Sequence, residues 1–292
     1  MPITYTLLFL TGYFLVFCLS IAACWYVRSR LQRRRAPIQE KLLRLPGETL
    51  EKESEKLESR FVRGFLIAAA FPLIPFGLLS LEGLTVPLWA LIPVVVVAMV
   101  GIYFSVKKLW DFLEHRSDNQ LGLRGERAVA EQLHKLLNQG FQVFHDFPGD
   151  SGKNGWSIDH IVVGPQGVFS IETKTCRRGG KVLSGRSDNE IIFDGDKLQY
   201  PWGEDNFGLE KAHRNAAQLS QWLTHAVGER ITARPLLAFP GWHVTRRARG
   251  PVLVLNHKEL PLVIEEGTPQ LSPPTIERIA FHLEQRCRDV EF

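Results

Sequence analysis

Residues 158–174 read IDHIVVGPQGVFSIETK, and this stretch decides the predicted fold. Two runs rich in β-branched and aromatic residues flank Gly-Pro-Gln-Gly, which is typical of an antiparallel β-hairpin. A turn at these four residues places Asp159 directly opposite Glu172, with Cβ atoms roughly 4.5–5.5 Å apart. Lys174 projects from the same face as Glu172, because side chains alternate along a strand. The hairpin therefore predicts two facing carboxylates with a lysine beside them.

Both faces of the predicted hairpin carry apolar side chains, as expected of central strands that are covered on two sides. Ile161 and Val168 fall on one face, and Val162 and Ile171 fall on the other. Carboxylates in such a place repel each other unless a cation lies between them. Two interpretations follow: a buried carboxylate pair neutralised by lysine, or a site for a hard metal ion.

The metal interpretation assigns a role to each polar group of the hairpin. Asp159 and Glu172 supply hard oxygen ligands for Mg²⁺ or Mn²⁺, and the main-chain carbonyl of Thr173 adds another. A divalent cation can lower the pKa of a bound water and neutralise charge on a phosphoryl oxygen. Lys174 can orient or deprotonate that water or stabilise the phosphate. Glu126 can add a carboxylate through a metal-bound water; the alternative is a first-turn helix acid favoured by the helix dipole.

The N-terminal third predicts about three transmembrane helices. Residues 5–27 form an apolar stretch long enough to span a bilayer, and arginines follow it directly. The order of apolar run and positive charge indicates a retained anchor and not a cleaved signal peptide. Residues 65–106 form a second apolar block that suits two spans joined at Glu82 and Gly83, or alternatively a re-entrant hairpin. Arginines after the first span and lysines after the last predict an inner-membrane protein with its remaining domain in the cytoplasm.

Composition excludes several classes of protein. The formal charge of +4 is modest and says little about a partner. The four cysteines show no paired spacing, which argues against a zinc site or a disulfide framework. The predicted spans carry no clear ionisable residue at mid-membrane depth, which argues against a small-molecule transporter.

The rest of the chain alternates helix and strand patterns, which predicts an α/β fold with a mixed sheet. Apolar residues at helical spacing mark the helices, and Gly140 ends the first of them. The predicted helices cover residues 121–138, 209–227 and 275–286, and the predicted strands outside the hairpin cover residues 141–147, 181–183, 190–193, 235–239 and 252–255.

Three segments resemble a known family, the nuclease-related domain (NERD): GLRGERAVAEQL (122–133), WSIDHIVVGPQGVFSIETKT (156–175) and ARPLLAFPG (233–241). The resemblance covers residues 118–260 and implies the restriction-endonuclease-like fold of the PD-(D/E)xK nucleases, a mixed sheet flanked by helices. It places the family's helix acid on Glu126, its metal-binding aspartate on Asp159, and its E-x-K on Glu172 and Lys174.

The chain departs from the family at the start of the later helix. Members commonly have Asn-Pro followed shortly by Gln, whereas Asn206-Phe207 and Glu210-Lys211 stand here, with Gln218 further along. The departure concerns contacts from that helix to nucleic acid, and the predicted metal ligands lie elsewhere.

Together these observations predict a membrane-anchored, metal-dependent nuclease acting on DNA or RNA, with a catalytically silent nucleic-acid-binding or scaffold protein as the alternative. Candidate nucleic-acid contacts are Arg177, Arg178, Lys181 and Gln218; a solvated strand edge is the alternative for the basic residues. The predicted organisation is an anchor (1–27), a charged connector (28–60), a transmembrane hairpin (61–110), a nuclease-like domain (118–260) and a C-terminal helical extension (261–292).

Overall fold

The computed structural model describes residues 42–70, 91–149, 156–177, 183 and 187–288. These fall in two compact units, one with residues 55–70 and 91–116, the other with residues 42–54 and the described residues from 117 onward. The predicted span at residues 5–27 and the middle of the predicted transmembrane hairpin, residues 71–90, lie outside the described residues. Among the described residues, no helix combines the length and the apolar character needed to cross a membrane.

Helices and strands alternate along the described chain. The helices are α1 (Glu48–Ala70), α2 (Leu91–His134), α3 (Phe207–Val227), α4 (Leu260–Glu265) and α5 (Pro273–Cys287). The strands are β1 (Gln142–Pro148), β2 (Ser157–Gly164), β3 (Gly167–Thr173), β4 (Glu190–Phe193), β5 (Leu198–Tyr200), β6 (Gly203–Asp205), β7 (Ala233–Ala238), β8 (His243–Arg246) and β9 (Leu253–Leu255).

The first unit is helical throughout its described residues. The rings of Phe61 on α1 and Phe112 on α2 stack with their centroids 4.2 Å apart. The predicted boundaries at residues 60–61 and 110–118 both fall inside a helix, because neither Pro nor Gly interrupts the chain there. Helix α2 continues to His134, and a 3₁₀ turn ends at left-handed Gly140 as predicted.

A mixed five-stranded sheet with the order β1-β2-β3-β7-β9 forms the centre of the second unit. Strands β1, β2 and β3 are antiparallel, whereas β7 and β9 run parallel to β3. The hairpin register is the predicted one: Gly164 pairs with Gly167, and His160 pairs with Ile171. The next position outward therefore places Asp159 opposite Glu172.

Helices cover both faces of this sheet, as the apolar pattern of the hairpin predicts. On one face, Ile161 and Val168 pack in a cluster with side chains of α3 and α5. On the other, Val162 and Phe169 pack with side chains of α2 and α4. The predicted C-terminal extension therefore contributes to the core of the same unit.

A second sheet with the order β6-β5-β4-β8 packs beside α3. The sequence predicts only β4 of this sheet; the short strands β5, β6 and β8 show no recognisable run of apolar residues. The second unit is thus a mixed α/β fold with mixed sheets flanked by helices.

Candidate acidic site

Three acidic residues lie at the same level of three neighbouring strands. The β1–β2 register pairs His145 with His160 and Phe147 with Ile158. Asp146 of β1 therefore lies opposite Asp159 of β2. Glu172 of β3 lies opposite Asp159 on the other side. Asp146 has a φ of 50°, an uncommon value for a residue with a side chain. Its carboxylate accepts hydrogen bonds from Thr49 N (3.1 Å) and Thr49 Oγ1 (2.7 Å) and pairs with Arg44 Nη1 at 3.1 Å.

A lysine from α3 lies between the two carboxylates of the hairpin. Lys211 Nζ is 2.7 Å from Glu172 Oε2 and 3.7 Å from Asp159 Oδ1. One helical turn later, Asn215 Nδ2 donates to Glu172 Oε1 at 2.6 Å and to the Ser157 carbonyl at 2.7 Å. The amide of Thr173 donates to Asp159 Oδ2 at 2.7 Å. Both carboxylates are therefore held in place, and both approach the same cationic group.

Glu126 reaches this region from α2 and is only 8 % exposed. Gly125 before it allows close packing, since a Cβ there would lie 2.0 Å from Thr175 Cγ2. Burial raises the pKa of Glu126 to about 8, and the charges of Asp159 and Asp146 add to the rise. The site therefore concentrates carboxylates in a place with little solvent.

The same two forces act on the hairpin acids and on their lysine partner. Burial, followed by the charge of Asp159, raises the pKa of Glu172 to about 8. Burial also raises the pKa of Asp159, although Lys211 and the Thr173 amide oppose this change. Burial disfavours the charged form of Lys211, but Asp159 and Glu172 outweigh it and raise the pKa of the lysine. The two carboxylates therefore keep Lys211 in its charged form between them.

In this structure the side chain of Lys174 pairs with a residue other than the two facing carboxylates. Its Nζ pairs with Asp205 at the end of β6 and is 5.4 Å from the centre of the Tyr200 ring. The lysine beside the facing carboxylates is Lys211, whereas the sequence predicts Lys174 there. The difference arises because Lys174 follows the last residue of β3. Its ion-pair partner there depends on which segment packs against the end of the strand, and that segment is β6 with Asp205.

The remaining predicted contacts are distributed around the domain. Arg177 is exposed and pairs with Asp118 at 2.8 Å while donating to Ser117 Oγ at 2.7 Å. Gln218 lies partly buried on α3, and among the described residues its Oε1 has no hydrogen-bond partner. Arg178 and Lys181 lie outside the described residues. Thr173 uses its amide toward Asp159, and its predicted carbonyl ligand role stays a prediction.

Three residues of the site are not recognisable as site residues from the sequence: Asp146, Lys211 and Asn215. Asn215 lies on the apolar stripe of α3, beside Ala212 and Ala216, and a polar residue on such a stripe is a usable signal. Lys211 is not distinguishable from other charged residues of the helix without knowing how α3 is rotated toward the sheet.

The donor set suits a hard cation, although a closed metal cage is not formed. Within the described part of the chain, no group of three or more histidine, cysteine or acidic side chains is arranged to hold a metal ion. Asp159 and Glu172 offer carboxylate oxygens, the preferred donors of Mg²⁺ and Mn²⁺. The ammonium group of Lys211 shows that one positive charge fits between them.

Replacement of Glu126 by glutamine should flatten the dependence of stability on pH. The folded-state pKa of Glu126, about 8, exceeds its ordinary value of 4.5. Its contribution to stability is therefore complete below pH 4.5 and is lost as pH rises toward 8, by at most about 1.4 kcal/mol per pH unit. Urea unfolding in chelator at pH 6 and pH 8 measures this change. Glu131→Gln, at an exposed position on the same helix, is the control. If the free energy of unfolding changes equally with pH in wild type and in Glu126→Gln, the pKa of Glu126 is not raised in the folded state.

The chain matches a protein-family model over part of its length. The nuclease-related domain, NERD, is found at residues 121–240, a range that includes Glu126, Asp159, Glu172, Lys174 and Lys211. Over residues 121–240 the chain is therefore similar to the nuclease-related domain, and the fold of this region is mixed α/β. No curated protein and no solved structure is significantly similar to the chain.

Proposed function

We propose that this protein is a membrane-anchored, divalent-metal-dependent nuclease that hydrolyses phosphodiester bonds of DNA or RNA on the cytoplasmic side of the inner membrane. The observation that carries the proposal is the convergence of Asp159 and Glu172 on one cationic group inside a nuclease-related domain. The buried Glu172 carboxylate and the largely buried Asp159 carboxylate lie on adjacent strands and are fixed by Asn215 and Thr173 N, so they form a preorganised pair of oxygen donors.

Mg²⁺ or Mn²⁺ would be held by Asp159 and Glu172, with Glu126 as a ligand through water and the Thr173 carbonyl as a further donor. Such an ion, once bound by these residues, would lower the pKa of a water molecule and would neutralise charge on the phosphoryl group. Asn215 keeps the Glu172 carboxylate aimed at the ion position. Lys211 leaves the space between the carboxylates. Lys174, released from Asp205 by a phosphate, stabilises the developing negative charge.

Membrane anchoring rests on the sequence and on the surface of α2. The predicted spans at residues 5–27 and 65–106 are apolar, and arginines or lysines follow them. Large apolar side chains are exposed along the first half of α2, namely Ile92, Val96, Met99, Val100, Tyr103, Phe104 and Val106. Such a surface suits a lipid bilayer as a partner better than water.

A second candidate is a catalytically silent nuclease fold that binds nucleic acid or serves as a scaffold at the membrane. The observation that favours it is Lys211, which already neutralises Glu172 and approaches Asp159. If this lysine is a permanent counter-ion, the acidic site has no need of a metal. The two candidates therefore differ in whether a divalent cation can displace Lys211.

A cleavage assay tests the proposal. The purified full-length chain is incubated with single- and double-stranded DNA and RNA in Mg²⁺, Mn²⁺ or chelator. We expect cleavage that requires the metal and that falls about 100-fold in Lys174→Ala, because a charge aimed at the phosphate is lost. Exposed Lys197→Ala is the matched control. Binding without cleavage under every metal condition would instead support the silent nuclease fold.

A further inference from the structure

A groove lined by arginines lies away from the acidic site. It has a volume of about 560 Å³ and joins a second hollow of about 420 Å³, with which it shares Gly250, Leu253, Val263 and Glu266. We call it the arginine groove after the four arginines that line the two hollows, Arg234, Arg246, Arg247 and Arg249.

Three of these arginines lie in the segment from the end of β8 to the loop before β9, and this segment is closely packed against the β4–β5 turn. A Cβ at Gly250 would lie 2.2 Å from the carbonyl oxygen of Gly195, so these two segments of the backbone approach too closely for a side chain at Gly250. The amide of Arg247 donates to the Phe193 carbonyl at 2.8 Å. The loop is therefore fixed at both places before any ligand arrives, which lowers the entropy cost of binding.

Two of the four guanidinium groups are already engaged with the protein. Arg246 Nη1 lies 3.0 Å from Glu259 and donates to the Val254 carbonyl at 3.1 Å. Arg234 lies over the Phe169 ring, 5.7 Å from its centre. These contacts hold positive charge at the edge of the groove.

The other two guanidinium groups are open to a ligand. Arg247 and Arg249 are exposed, and among the described residues no ion pair or side-chain hydrogen bond engages either group. The four arginines outnumber Glu266, which lines the groove, and Glu259, which pairs with Arg246, so the groove favours an anion. Pro251 and the half-exposed Leu253 give it an apolar floor.

The groove and the acidic site are separate. Arg234 lies near the start of β7, whereas Ala238 at its end pairs with Thr173. Four residues of strand correspond to roughly 13 Å. The groove also opens toward Phe169 and Leu236, on the face that α2 and α4 cover, whereas Lys211 reaches the acidic site from α3.

We propose that the arginine groove binds the phosphate backbone of a nucleic-acid strand and so holds the polymer at a distance from the acidic site. The guanidinium fork matches phosphate oxygens bidentately, and the apolar floor accommodates the sugars. Such contacts position the polymer without reading its sequence. The inference rests on the proposed function only in taking nucleic acid as the polymer, and it does not require turnover.

Binding is measured in chelator with the full-length chain and labelled DNA duplex, at several salt concentrations, for wild type and Arg247→Ala/Arg249→Ala. Each lost phosphate contact reduces the slope of log K against log salt by about 0.9. We therefore expect a slope that is less steep by about 1.8, with affinity at low salt lower by tenfold or more. The control, Lys135→Ala/Arg278→Ala, loses the same charge outside the groove and should keep the wild-type slope.

Three results separate the possibilities. Equal slopes for the groove variant and its control overturn the proposal. A groove variant that loses binding to anionic vesicles while keeping wild-type binding to DNA also overturns it, because the ligand is then a lipid headgroup. In the third result, the groove variant shows the predicted change of slope while the wild-type protein binds DNA but never cleaves it. That result supports the groove and contradicts the nuclease proposal.

Discussion

Replacement of Asp159 by asparagine should lower metal-dependent cleavage about 1000-fold. Asparagine keeps the shape of the side chain and can still accept the hydrogen bond from Thr173 N. The substitution removes the negative charge of Asp159 and leaves an amide oxygen, which is a weaker metal ligand than a carboxylate oxygen. Loss of one preorganised electrostatic group typically costs 100- to 1000-fold in rate, and a metal ligand belongs at the upper end.

The matched control for this substitution is Asp196→Asn, which makes the same chemical change at an exposed position in the β4–β5 turn. Single-turnover cleavage of labelled DNA or RNA in Mg²⁺ measures the rates, and urea unfolding verifies that both variants are folded. A folded Asp159→Asn variant that cleaves at the wild-type rate would remove Asp159 from the catalytic site.

Replacement of Lys211 by methionine should weaken the fold in chelator and increase the affinity for Mn²⁺. The carboxylates of Asp159 and Glu172 then lose their cation, which costs 3–5 kcal/mol for a fully buried pair. Because about a third of the Lys211 side chain is exposed, we expect about 1–3 kcal/mol. A divalent ion no longer competes with a tethered ammonium, so its affinity should rise about tenfold or more.

Urea unfolding with and without Mn²⁺ measures both parts of this prediction, because an ion that binds only the folded state stabilises it according to its affinity. Lys197→Met is the control, since Lys197 is exposed and lies 3.9 Å from its partner Glu204. If Lys211→Met matches wild type in chelator and gains no more stability from Mn²⁺, Lys211 does not occupy the ion position.

The hairpin could be predicted because its information is local. A Gly-Pro-Gln-Gly turn and alternating side chains fix the register, and the register alone places Asp159 opposite Glu172. Apolar residues on both faces predict the helices that cover it. The observed bounds of α3 and α5 lie within about two residues of the predicted bounds, because apolar residues at helical spacing mark both helices.

The partners of these carboxylates could not be predicted, because they depend on how distant elements pack. Lys211 and Asn215 reach Glu172 only through the rotation of α3 against the sheet. Lys174 pairs with Asp205 because β6 ends beside it, and β6 is too short to recognise. Asp146 joins the row of acids through the β1–β2 register.

Calorimetric titration of Mn²⁺ into the full-length chain at pH 8 measures whether Asp159 and Glu172 hold a divalent metal ion. This pH reaches the raised pKa of Glu126 and of Glu172, about 8 for each, so an incoming metal ion can displace their protons more easily than at lower pH. We predict one binding event in wild type that is lost in Asp159→Asn and becomes tighter in Lys211→Met. Absence of Mn²⁺ binding in all three proteins would contradict a metal-dependent nuclease, provided that the chain still binds nucleic acid in a separate assay. Lys211 would then be the permanent counter-ion of a silent site.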